Sequence, residues 1–152
     1  MGLGDAGARA QLLDAVAAAT DQLGQALAAL GAAYEHLDDP TADRLEEELF
    51  RPLQTAYGRA QRTYAAFAQR AGLPARAFAV ADTPAGARGV TELLTRALDA
   101  VHGANDALIG LQDSMMPVEF GDAELRHGLG EVRSLISVLP ARARGFTRTR
   151  GR

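Results

Sequence analysis

The chain holds three histidines, His36, His102 and His127, and no cysteine. Thiolate catalysis, disulfides, iron–sulfur clusters, zinc-finger ligation and covalent c-type haem are therefore excluded. All 16 basic residues are arginine, which removes Schiff-base chemistry and the P-loop lysine. What remains for metal chemistry is imidazole with carboxylate. Glu124-x-x-His127 has the spacing of one half of a carboxylate-bridged di-metal centre in a helical bundle, and Asp99-x-x-His102 approximates the other half. At about 100° per residue, His127 and Asp99 point away from the apolar stripes of their segments and His102 lies at an edge. Three solvated histidines are the expected outcome, with a surface site built from His36 and His127 as the lesser alternative. There is no nucleophile elbow, Walker motif, dinucleotide fingerprint or His-Glu-x-x-His. No catalytic residue, metal site or cofactor is assigned, and nothing selects an enzyme.

Three further groups could bind a partner. Arg142, Arg144, Arg148, Arg150 and Arg152 form a basic tail without an acid. It reads as a disordered, solvated end that complements a helix dipole, or as a site for an anionic partner. Asn105 and Gln112 fall on the apolar stripe of their helix. Buried amides need partners, so these two read as a polar network, as an edge facing water or a second subunit, or as part of a ligand pocket. The run Phe67-Ala68-Gln69-Arg70-Ala71-Gly72-Leu73, with Phe78 downstream, resembles a helix-turn-helix in its small residue, turn glycine and apolar spacing. That resemblance implies a second helix from about Pro74 to Ala81, with Arg76 contacting bases or phosphate. The alternative is that Gly72 caps a helix and Phe78 covers the bundle end. Leu125-Arg126-His127-Gly128-Leu129 resembles the surroundings of a phosphoacceptor histidine in phosphotransfer bundles, which implies a relay role for His127. The acid or amide beside that histidine and the lysine-glycine after it are missing here.

These groups must be carried by helices. Alanine, leucine and arginine are abundant, aromatics are 5% and Trp is absent, so intrinsic propensity favours helix nearly throughout. Segment one, about Asp5 to Leu37, repeats Val16, Leu23, Leu30 and Leu37 every seven residues, with Leu13, Leu27 and Tyr34 beside them. Ala19, Ala26 and Ala33 flank that stripe and should admit a close neighbour. Asp39-Pro40 reads as a helix start. Segment two runs to about Ala71, kinked or split near Pro52, and stops at Gly72 and Pro74. Residues 74–82 are read as loop or one short helix. Thr83-Pro84 starts segment three, to about Gln112. An apolar connector, Met115 to Phe120, leads to segment four, Asp122 to Leu139, which Pro140 bends or ends.

Four amphipathic segments with short connections predict an all-α, up-down-up-down antiparallel four-helix bundle over residues 1–140, followed by the tail 141–152. That topology would collect Glu35 to Glu48 and Asp113 to Glu124 at one end, and Arg9, Arg70, Arg76, Arg88 and Arg142 to Arg152 at the other. Net charge is −3 and hydrophobic residues are 47%. No run reaches the roughly 20 apolar residues of a membrane span. Absent cysteines and the lack of a signal-peptide pattern point to the cytoplasm, and the alanine–arginine bias to a GC-rich bacterial genome. The expected function is non-enzymatic: protein–protein contact or self-association. The alternatives are nucleic-acid binding through residues 67–81 and the tail, or a ligand or metal sensor with its site in the core.

Overall fold

The computed structural model describes residues 2–79 and 81–150. It is all-helical, without a strand among those residues. α1 spans Gly2–Tyr34, α2 Asp39–Leu45, a π-helical turn Glu46–Phe50, α3 Arg51–Ala71, α4 Val90–Asp113, α5 Met116–Glu119, α6 Ala123–Ser137 and α7 Leu139–Arg150.

Val16, Leu23 and Leu30 are buried in the core as their spacing predicts, while Tyr34 is largely exposed. The alanine flank of α1 (Ala19, Ala26, Ala33) is buried, and α1 packs most extensively against α4. That approach is close enough that a methyl on Gly103 would stand 2.5 Å from Gln22 Oε1.

The N-cap of α2 is Asp38, one residue before the expected Asp39. Its carboxylate accepts from Thr41 N at 2.9 Å, and Pro40 sits in the first turn. Pro52 neither ends this rod nor splits it. A proline has no N–H for the carbonyl four residues back, here Glu48. The chain widens into the π turn ahead of Pro52, and Arg142 Nη1 donates to Glu48 O at 3.3 Å.

The up-down-up-down order does not hold. Across α2–α3 and α6–α7, Arg44 faces Phe146, Glu48 faces Arg142, Arg59 faces Glu131 and Arg70 faces Asp122, so these two rods run antiparallel. α4 is antiparallel to α1, with Gln22 beside Gly103, and Ala29 sharing a groove with Arg96 and Ala100. Leu30 meets both Leu53 and Leu94. α3 and α4 are therefore parallel, and residues 72–89 must return along the whole bundle. A chain of that length reaches ~60 Å extended, ample for the ~30 Å of α3.

The reason lies in the crossover's own residues. Gly72 is left-handed (φ 67°) and caps α3, with Leu73 N donating to Ala68 O. Residues 73–79 are not helical, so the short helix at 74–82 and the second helix of a helix-turn-helix are absent from the described residues. Arg76 N donates to Tyr64 Oη at 3.1 Å, its guanidinium bonds Asp21 at 2.5 Å, and it lies 4.5 Å over the Phe78 ring, which meets Tyr64 edge-on. Thr83-Pro84 starts no helix, because Gly86 is left-handed (φ 79°) and Gly89 is extended. α4 begins at Val90.

The expected tail is structured too. Val138 breaks the fourth rod, Pro140 falls in the first turn of α7, and the helix continues to Arg150 with Leu139, Ala143 and Phe146 buried. Phe146 has no exposed surface. The apolar connector caps the opposite end: Pro117 is buried and Met116 and Phe120 pack on the core, while Met115 and Val118 stay exposed.

At the α3–α6 seam, a Cβ on Gly128 would lie 2.3 Å from Thr63 Oγ1 and 2.7 Å from its methyl. Thr63 is buried and tied to Arg59 O, so it cannot step aside. Gly128→Ala should therefore destabilise the fold by about 1–3 kcal/mol, read from urea unfolding; an unchanged midpoint would refute the close contact. Trypsin should cut the crossover at exposed Arg88 well before Arg76, whose guanidinium is engaged; mass spectrometry of the first fragments checks the order.

Candidate functional site

The topology brings the charges together differently from the expected layout. Glu35 to Glu48 share one end with Arg142, Arg144, Arg148 and Arg150; Asp113 to Glu124 share the other with Arg70. Acid and base are therefore mixed at both ends, and the charge separation expected from an up-down-up-down chain is absent.

Among the described residues six arginines form ion pairs with acids, and Arg59 and Arg70 do so across the α3–α6 seam. Asp122 caps α6 by accepting from Leu125 N at 2.8 Å and holds Arg70 through bonds of 2.6 and 2.9 Å. Glu124 adds a contact to Arg70 at 2.9 Å. The Arg70 hydrogen bond, followed by the Leu125 amide and the charge of Arg126, holds the Asp122 carboxyl below its usual range against a partial desolvation. Glu131 binds both Arg59 (2.6 Å) and His127 (2.8 Å), and its carboxyl is likewise lowered, Arg59 being the main cause. Arg44, Arg51 and Arg96 pair with Glu48, Glu46 and Glu92.

Asn105 and Gln112 are partly buried on α4. Both face Arg133 of α6: Nη1 donates to Gln112 Oε1 at 2.7 Å, and Nε to Asn105 Oδ1 at 3.4 Å. Of the three readings of these amides, the polar network is the one with its partner in place. Arg133 lies on the fourth amphipathic segment, but only the α4–α6 contact supplies the pairing. A core pocket is not available to them. An apolar pocket of about 20 Å³ holds about one water-sized sphere. It is lined wholly by apolar residues at the other end, including Leu30, Leu53, Leu94 and Val101.

The histidines are not brought together. His36 lies in the turn after α1, and His127 near the start of α6 at the opposite end. His102 and His127 are exposed, and no group of three metal-ligating side chains occurs among the described residues. His127 does line a groove of about 380 Å³ with Arg59, Arg62, Arg70 and Glu124. Of its arginines only Arg62 lacks an ion pair among the described residues.

The basic residues expected to bind a partner fall into three sets. Arg76 and Arg142 are structural, fixed to Asp21 and to Glu48 O. Arg150 acts at a distance on Asp38, whose carboxyl is lowered first by the Thr41 bond and last by this charge. Arg144 and Arg148 are exposed and form no ion pair among the described residues. Arg152 lies outside the described residues. Arg144 and Arg148 border an open groove of about 320 Å³ between α4 and α7. Leu94, Leu98 and Ala143 form its apolar lining, and Thr91, Thr95 and Thr147 contribute hydroxyls. Sequence reasoning singled out these arginines but missed the α4 wall, since it read residues 141–152 as a tail and not as a helix packed on α4.

No protein-family model, no curated protein and no solved structure matches this chain. No helix among the described residues is long and apolar enough to cross a membrane.

The Asp122 latch sets a pH dependence. A carboxylate whose pKa is depressed by folding contributes stability above its unfolded value of 3.8, and loses it as pH falls below that value. Asp122→Ala should cost about 1 kcal/mol near neutral pH. The difference from the wild type should shrink below pH 4, read from urea midpoints across pH. A gap that stayed constant with pH would exclude an ionic latch.

Proposed function

We propose that this chain is a helical docking module that acts by protein–protein contact, with the α7 end as its contact surface and no chemistry of its own. The observation that carries this is Arg144 with Arg148: two exposed guanidiniums without an acid partner, in a chain whose other arginines are largely bound to carboxylates, carbonyls or amides. A charged surface without internal partners sets orientation and association rate in complexes more than affinity. A cytoplasmic, bacterial setting belongs to this reading and rests on the absent cysteines and the arginine-only composition.

Two other readings have less support. Nucleic-acid binding through residues 67–81 would need a second helix after Gly72 and a free Arg76; residues 73–79 are not helical and Arg76 is bound to Asp21. A ligand or metal sensor in the core would need space beside Asn105 and Gln112, which are instead occupied by Arg133.

Crosslinking capture from cells tests the docking reading. The tagged wild type should enrich a defined partner set, a second copy of the chain included. Arg144→Glu with Arg148→Glu, folded by circular dichroism, should lose that set by about tenfold or more. Equal capture by both chains would remove the α7 end from the reading.

A further inference from the structure

The groove beside Arg144 and Arg148 has features that discriminate among occupants. α7 places Arg144 and Arg148 one helical turn apart, with their Cβ atoms about 6 Å from one another. Between them and α4 lies an apolar lining of Leu94, Leu98 and Ala143. The α4 wall, Thr91 to Leu98, is only about 10 Å long. A site with an apolar floor, a basic rim and room for one to two helical turns suits a short segment carrying both carboxylates and aliphatic side chains.

A nucleic acid fits poorly. No aromatic ring lines the groove to stack a base. A longer polyanion following α7 would enter the field of Glu35, Asp39, Asp43 and Glu47 at the same end, all exposed and without ion pairs among the described residues. Those charges act over a screening length of about 8–10 Å, so they restrict the groove to a short acidic occupant. The competing groove at His127 lacks this selectivity, because its Arg59 and Arg70 are already neutralised by Glu131, Asp122 and Glu124.

Resting on the docking reading, we infer that the α4–α7 groove takes a short amphipathic acidic segment of a partner protein. Its carboxylates pair with Arg144 and Arg148, and its aliphatic side chains lie on Leu94, Leu98 and Ala143. The contact is of the kind in which an arginine cluster reads an acidic motif. It weakens as salt rises.

The test uses the full chain, labelled with nitrogen-15, and three probes followed by amide chemical shifts. The first is a blocked dodecapeptide repeating Leu-Glu-Glu-Leu, the second its Gln-for-Glu counterpart, and the third dodecathymidylate. The acidic peptide should give saturable shifts confined to Thr91–Leu98 and Ala143–Arg148, weaker at high salt. Those shifts should be absent with the Gln peptide and lost in Arg144→Gln/Arg148→Gln, whose exposed sites leave the core intact. Equal shifts from the Gln peptide, stronger shifts from dodecathymidylate, shifts centred elsewhere or no shifts at all would each overturn the acidic-segment inference. If that inference fails while cellular capture still depends on Arg144 and Arg148, the docking reading stands and only its occupant is wrong.

Discussion

Residues 73–79 and 81–89 return along the flank of α1, and most of the long-range organisation of this protein depends on that return. It is fixed by a small set of contacts. Gly72 turns the chain out of α3 in a left-handed conformation. Arg76 is then held by Asp21 of α1, Tyr64 of α3 and the face of Phe78. The charged pair is exposed and worth little by itself. The backbone N–H bond to the Tyr64 hydroxyl and the Tyr64–Phe78 edge contact add direction and burial. Because the crossover ascends, α4 descends beside α1, and α6 must rise between α3 and α4.

That order decides where charge resides. In the simpler topology every acid-rich connector would face its like. Here Arg70 arrives beside Asp122 and Glu124, and the basic α7 arrives beside α2. Like-charge repulsion at the ends is replaced by local neutralisation, and Arg144 and Arg148 stand out among the arginines without ion pairs because both border one apolar groove. Arg144 and Arg148 are uncommitted because the helix face that carries them turns toward α4, where the nearby groove residues are Thr91, Leu94, Thr95 and Leu98 and none is an acid.

α7 and Pro52 are coupled through a single carbonyl. The proline deprives Glu48 O of its helical donor, the chain opens a π turn, and Arg142 supplies the missing hydrogen bond from across the bundle. Phe146, buried under the Arg44 guanidinium at 5.2 Å, holds α7 down at the same place. π turns recur at functional sites. This one has a structural cause within the chain and sits one rod away from the α4–α7 groove.

The sequence by itself determined the helical class, the rods of α1, α2–α3 and α6, and most of the core. Heptad spacing predicted Val16, Leu23 and Leu30, and stripe positions predicted Leu53, Leu108, Leu125, Val132 and Ile136, all buried. Periodicity is a local property, so it survives whatever the rods do later. It could also single out Arg144, Arg148, Asn105 and Gln112 as residues needing an explanation. It could not orient the rods, because a crossover and a short connection differ only in what residues 73–89 touch. Phe146 read as part of a tail for the same reason: in a twelve-residue helix with four arginines, apolar periodicity is faint, and burial comes from α4, the π turn and α2. Pairing Arg133 with its two amides, Arg70 with Asp122, and the unpaired arginines with an apolar groove was decided only in the tertiary structure. Each of those contacts joins residues at least 20 positions apart in the chain, and such separations are set by packing, where neighbouring side chains have no influence.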